Sequence, residues 1–284
     1  KAVIMVDNEI FAHRLLQTEA GGLGSAQKVL DRALNGTGMT KDDIHYIVGT
    51  GCREVDISVV KKRVSEVACH ARGVNYSLGP SIRTILVMGG QDCAAVHCDE
   101  KAKVTAFLMN ACRPVECPKT SCFHCGTAQG WGMEEIASSV GIPIEEIGAI
   151  SLSINEEQLK RHLTFSYFED GAEFLLPLST VINNVCAILA KSQVIWLLSK
   201  GWSKAEILAA YCATIAHEGS LLLERLGVIK ELAVTGGVAK NLGVVQRLKK
   251  ELNTEIFLPK LDPQLTGALG AALFARDFLV KQLL

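Results

Sequence analysis

No stretch of this 284-residue chain reaches roughly 18 uninterrupted apolar residues, so a membrane-spanning helix is not expected. Neither charge dominates. The chain has 29 basic against 30 acidic residues, a net charge of −1, which leaves no electrostatic footprint for nucleic acid or an anionic membrane. The opening run Lys1–Val6 is too short for the apolar region of a secretory signal and reads as a strand. GxxxxGK[ST] and GxGxxG are both missing, so the P-loop and Rossmann readings lack their fingerprints. There is no repeat at fixed period, no low-complexity linker, and no Ser/His/Asp or paired-carboxylate arrangement.

What is present is apolar residues, 49% of the chain, and ten cysteines. That hydrophobicity argues against disorder and supports a sizeable core. A chain of this length needs no disulfides to hold its core, so metal ligation or buried thiols are the better expectation. The cytoplasm is the expected compartment.

Strand-like and helix-like segments alternate, which predicts an α/β fold with mixed sheets. Strands are expected at Ala2–Val6, Ile44–Gly49, Ile82–Met88, Glu231–Thr235 and Glu255–Leu258, with a hairpin of Ala94–His97 and Val104–Met109. Helices are expected at Ser25–Asn35, Lys61–Ala71, Met133–Val140, Val181–Leu198, Asn241–Leu252 and Pro263–Val280. Ser203-Lys204-Ala205-Glu206 reads as a capping box that opens a helix to Leu226, closed by Gly227. Small residues in Thr266–Ala272 predict a helix that sits close to a neighbour. The turn at Gly79-Pro80 suggests two lobes, 1–80 and 81–284.

Two strands end in paired glycines: Gly89-Gly90-Gln91-Asp92 and Gly236-Gly237-Val238-Ala239. Glycine lets backbone N–H groups approach an anion, and Asp92 could hold Mg²⁺ directly or through water. A plain tight turn accounts for either one taken alone. Between Cys112 and Cys125 the hydrophobic pattern breaks. Four cysteines, two prolines and a histidine occur there in the spacing C-x₄-C-x₄-C-x₂-C.

Several segments taken in order resemble one family: Val64–Gly73, Gly89–Asp92, Phe107–Asn110, Thr235–Asn241 and Pro263–Ala272. They are similar to the ATPase subunits of benzoyl-CoA reductase and the related activators of 2-hydroxyacyl-CoA dehydratases. Gly89–Lys103 and Gly201–Cys212 lean toward the benzoyl-CoA reductase side, with a dehydratase activator as the alternative. The resemblance implies an actin-like (ribonuclease H-like) ATPase fold of two lobes around a nucleotide cleft. It implies ATP/ADP with Mg²⁺ bound near Gly89, Gly90, Gln91, Asp92, Gly236, Gly237, Val238, Ala239, Asn241 and Gln264. It further implies a homo- or heterodimer sharing one [4Fe–4S] cluster, with two cysteines from each subunit. Here Cys125, before Gly126–Glu134, and Cys186, before Ala187–Ser192, fit those places. Both would sit at helix starts, where the dipole favours thiolate. The implied partners are a homologous ATPase subunit, acyl-CoA-reducing subunits, and an electron donor such as ferredoxin.

The sequence also departs from this pattern. The family's first phosphate loop is expected just before Lys1 and does not appear, which reads as truncation or degeneration. Val87 stands where the family usually has an aspartate, and Ala94 where a lysine often follows. These changes fall in the cleft, which admits a third reading: a non-hydrolysing electron-relay subunit paired with an active homologue. Cys112 rivals Cys125 for the first cluster position. Cys117, Cys122 and Cys125 match a ferredoxin-type C-x₄-C-x₂-C, so a further cluster or a zinc site with His124 stands beside the reading of incidental loop cysteines.

Overall fold

A computed structural model describes residues 1–17, 23–51, 59–110, 129–155, 159, 163–166, 173–175, 177–182 and 187–283. The chain opens with an antiparallel hairpin, β1 (Ala2–Val6) and β2 (Glu9–Arg14). Asp7 and Asn8 form its turn, with φ of 49° and 72°. Two left-handed residues match the twist of paired strands, and Asp and Asn tolerate that region better than most. Ile4 of β1 packs on Ala33 and Leu34 of α1 (Leu23–Leu34). A short parallel pair follows, β3 (Val48–Gly49) with β4 (Lys62–Arg63). The strand expected from Ile44 is therefore shorter. The helix expected at Lys61 begins later, as α2 (Glu66–Leu78). Ser65 sets that start by accepting the Ala68 N–H at 3.4 Å, and Gly79, at φ 92°, ends the helix.

Among the described residues the main sheet has five strands, in the order β11-β10-β5-β6-β7. These are β5 (Ile82–Met88), β6 (Cys93–Cys98), β7 (Val104–Asn110), β10 (Glu231–Thr235) and β11 (Ile256–Phe257). β10 runs parallel to β5 and β11, while β5, β6 and β7 are antiparallel. Alternation sorts the side chains onto two faces. Ile85, Val87, Ala94, Val96 and Ala233 share a core with Val67, Ala71 and Val74 of α2. Leu86, Met88, Ala95, Leu232 and Val234 point the other way into the larger core. That core receives α3 (Gln129–Val140), α4 (Ile147–Leu152), α5 (Ala187–Ser199), α6 (Lys204–Leu226) and α7 (Leu242–Leu252). Each fully buried Leu or Ile there contributes about 1.5–3 kcal/mol of transfer free energy. A small hairpin, β8 (Thr164–Ser166) and β9 (Glu173–Leu175), lies between α4 and α5 in the chain.

The expected capping box is present. Ser203 Oγ accepts the Glu206 N–H at 3.3 Å, and Glu206 accepts the Ser203 N–H at 2.7 Å. Gly227, at φ 85°, closes α6. The helix expected from Val181 runs instead over Ala187–Ser199, with a one-turn 3-10 helix at Leu178–Thr180 before it. The last helix, α8 (Thr266–Leu283), follows the 3-10 turn Pro263–Leu265 and packs along α2. Its small residues make this possible. A Cβ at Gly270 would lie 2.5 Å from the carbonyl carbon of Cys69, and one at Gly267 would lie 2.9 Å from His70 Nε2. No helix among the described residues is long and apolar enough to cross a membrane.

Candidate nucleotide site

β5 and β10 are parallel neighbours in register, with Thr235 beside Val87. Their glycine turns therefore leave the sheet side by side at the carboxyl ends of the strands, where open α/β sheets bind ligands. Gly236 adopts φ 97°, and a Cβ there would lie 2.6 Å from the Met88 carbonyl carbon. Both conditions require glycine. The neighbouring turn is closed by the Gly89 N–H donating to the Asp92 carbonyl at 2.9 Å. Among the described residues, nothing lies within 4 Å of where a Cβ at Gly90 would stand.

A third segment completes the group. The Pro263 carbonyl accepts the Gly236 N–H and the hydroxyls of Thr235 and Thr266, each at 3.0 Å. Asp262 Oδ1 accepts the Gln264 N–H at 2.9 Å, while Oδ2 receives Lys240 Nζ at 2.8 Å. The Gln264 side chain lies against Gly237, 3.4 Å from where a Cβ would stand. Gly89, Gly90, Gln91, Asp92, Gly236, Gly237 and Gln264 thus fall in one place. Val238 and Ala239 belong to a 3-10 turn whose side chains enter the core, so they offer backbone only.

Asn241 stands behind this group. Its Oδ1 caps α7 by accepting the Val244 N–H at 3.2 Å, and Nδ2 meets Met133 Sδ at 3.2 Å. Lys240 and Asp262 were not singled out from sequence as a pair, since 22 residues separate them. His70 is buried behind Thr235. The Thr235 hydroxyl, which donates to Pro263, lies 3.3 Å from His70 Nδ1. His70 Nε2 then faces Glu66 at 3.7 Å, and the hydrogen bond with His70 holds the Glu66 carboxyl below its usual range.

The turn at Gly89 also meets a helix. The Gly130 N–H donates to the Gly89 carbonyl at 3.2 Å, and the Trp131 N–H donates to the Gly90 carbonyl at 3.0 Å. Farther along α3, Glu135 pairs with Lys191 of α5 at 3.2 Å.

The BadF/BadG/BcrA/BcrD ATPase family matches residues 1–275. The chain belongs to that family. Among the relatives of this family member is a 2-hydroxyisocaproyl-CoA dehydratase activator of Clostridioides difficile, 33% identical over 98% of this chain and 91% of its own. An activator of lactoyl-CoA dehydratase from Anaerotignum propionicum is also 33% identical, over 99% and 95%. A benzoyl-CoA reductase subunit of Thauera aromatica is 26% identical over 87% of this chain and 78% of its own. The lean toward benzoyl-CoA reductase is therefore the less supported of the two branches. The activator of the 2-hydroxyisocaproyl-CoA dehydratase from Clostridium difficile, solved with bound ADPNP, superposes with a TM-score of 0.76 at 32% identity, covering 96% of this chain and 88% of that one. The fold of this family member is the actin-like ATPase α/β fold.

Cys125 and Cys186 lie outside the described residues, as do Cys52, Cys112, Cys117, Cys122 and His124. Among the described residues no group of three or more His, Cys, Asp or Glu side chains could hold a metal. The four described cysteines, Cys69, Cys93, Cys98 and Cys212, are all buried. Burial raises each thiol, Cys69 to about 11 and Cys93 to about 12, which is the wrong direction for a thiolate ligand.

Proposed function

We propose that this chain is an ATP-dependent activator of a 2-hydroxyacyl-CoA dehydratase, acting in the cytoplasm. The observation that carries the reading is the convergence of the Gly89–Asp92 and Gly236–Gly237 turns with Gln264, in a chain matched nearly end to end by such activators. In this reading two lobes, 1–80 and 81–284, flank the nucleotide. The glycine turns present backbone N–H groups to the phosphates, Gln264 lines the site, and Asp92 meets Mg²⁺.

Cys125 and Cys186 would hold half of a [4Fe–4S] cluster whose other half comes from a second copy or a homologous subunit. Two features support that choice. The described cysteines are buried thiols, unsuited to ligation. Each chosen cysteine closely precedes a helix, and those helices, α3 and α5, are tied together by Glu135 and Lys191. When bound, the cluster supplies a one-electron carrier for the acyl-CoA partner, recharged by a donor such as ferredoxin.

A second reading, in which the chain binds nucleotide without turning it over, is favoured by one contact. Val87 and Ala94 are direct cross-strand partners on β5 and β6, both buried. They occupy the places where the resemblance leads one to expect an aspartate and a lysine. Replacing a buried ion pair by a packed apolar pair is tolerated by a fold, but it removes a carboxylate from the cleft.

Anaerobic purification tests both readings. Iron and sulfide should fall to background in a Cys125→Ser, Cys186→Ser double variant, and full retention would refute the cluster assignment. ATP hydrolysis measured alone and with a 2-hydroxyacyl-CoA dehydratase separates the activator from the non-hydrolysing subunit.

A further inference from the structure

The first N–H groups of an α-helix have no partner inside the helix and must find one elsewhere. In α3 two of them, those of Gly130 and Trp131, are bonded to the carbonyls of Gly89 and Gly90. The acceptors belong to the turn that is read above as a phosphate loop. A Cβ at Gly130 would lie 3.0 Å from the Gly89 oxygen and 3.0 Å from Gly90 Cα. Any larger residue would push the helix start and the turn apart by a few tenths of an ångström.

We propose that Gly130 is a positioning residue through which the Gly89–Gly90 turn sets the placement of α3. The inference rests on the nucleotide reading of that turn. The peptide units of Gly89 and Gly90 are shared. The peptide that carries the Gly89 carbonyl carries the Gly90 N–H, and the one that carries the Gly90 carbonyl carries the Gln91 N–H, so the N–H sides belong to the turn and the carbonyl sides anchor α3. Rotating either unit to meet a phosphate moves an acceptor that holds the helix. Among the described residues nothing crowds Gly90, and glycine itself tolerates such a rotation.

The start of α3 has a second feature that suits two positions. Gln129 is fully buried, and beyond a contact with the Cys93 thiol neither amide atom has a hydrogen-bond partner among the described residues. Leaving a buried polar group unbonded costs about 1–3 kcal/mol, so this side chain does little to pin the helix start. The rest of α3 is well placed to pass a shift on. Met133, Ile136, Ala137 and Val140 pack in the core, and Glu135 reaches Lys191 of α5.

The test is hydrogen–deuterium exchange of the peptides spanning 89–92 and 129–140, with and without a non-hydrolysable ATP analogue. Calorimetry on the same samples reports binding. In the wild-type chain the analogue should slow exchange in both peptides, by about fivefold or more in the first turn of α3. Gly130→Ala should still bind the analogue, yet lose the response in α3 while keeping it in 89–92. Trp131→Pro removes one of the two donors, an N–H of the first turn that has no partner inside the helix, and should halve the response. Ser139→Ala, in the same helix but away from the joint, should respond as wild type. A wild-type response confined to 89–92 would overturn the inference, as would a Gly130→Ala response equal to wild type. Failure of the wild-type chain to bind the analogue would instead overturn the nucleotide reading beneath it.

Discussion

The contact between α2 and α8 makes a sign prediction for one substitution in two places. Gly24, in the first turn of α1, has nothing within 4 Å of its would-be Cβ, while Gly270, inside α8, faces the Cys69 backbone at 2.5 Å. Alanine is favoured over glycine in a helix interior by about 1 kcal/mol, and by less at an end. Gly24→Ala should therefore stabilise the chain by about 0.5 kcal/mol. At Gly270 the new methyl must reach ordinary contact, 3.4 Å, and the Cys69 carbonyl oxygen stands nearer than its carbon, so the helices must part by more than about 1 Å. The obstacle is a main-chain carbonyl that cannot rotate away. Overpacking of this kind costs about 3 kcal/mol, at the upper end of the usual range. Set against about 1 kcal/mol of helix propensity, the net loss is about 2 kcal/mol. At about 2–4 °C per kcal/mol, the midpoint should fall by roughly 4–8 °C, against a rise of about 1–2 °C for Gly24→Ala. Scanning calorimetry of both variants decides it. A Gly270→Ala midpoint at or above wild type would refute the close approach of α8 to α2.

Three further outcomes are expected. Asn241→Ala removes the cap of α7 and should lower stability by about 1–2 kcal/mol in urea unfolding, with the slope unchanged. The Glu66 carboxyl is held below its ordinary value of 4.5, chiefly by its hydrogen bond with His70, so its contribution is full above that value. It should be lost as the pH falls below 4.5 through the folded-state value, and Glu66→Gln should flatten that part of the stability curve. Native alkylation at pH 8 should spare Cys69, Cys93, Cys98 and Cys212, whose thiols are buried and raised, and label them only after unfolding, as peptide mass spectrometry would report.

The parts of the fold read correctly from sequence were those with local causes. β5, β10 and the β6–β7 hairpin are apolar runs between glycines or polar turns, and α6 carries its own capping box and closing glycine. α2 was misplaced at its start because Lys62–Arg63 pairs with β3, a long-range contact with no local signal. β2 was missed although its turn, Asp7-Asn8, is visible, because the strand alternates weakly and is largely exposed. In the site, the glycine turns were legible because a residue type and a conformation coincide there. The pairing of Lys240 with Asp262 and of His70 with Thr235 was not, since each joins positions that only the sheet order brings together. Asn241 shows the opposite case. It was picked as part of a motif, and its side chain serves as a helix cap.

The last helix reaches back to the first residues. Arg276 donates to Asn8 in the β1–β2 turn at 2.9 Å, across 268 positions, and Phe278 meets Tyr46 in a tilted ring contact with centroids 5.9 Å apart. A ribosome adding about 5–20 residues per second needs roughly 15–50 s to make that interval. Through that time the N-terminal hairpin and the outer side of α2 wait without the surface that covers them. Such exposed strands and helix faces are what chaperones bind. Nascent chains stalled before α8 should therefore be held by chaperone and cleaved by protease, and emergence of α8 should end both.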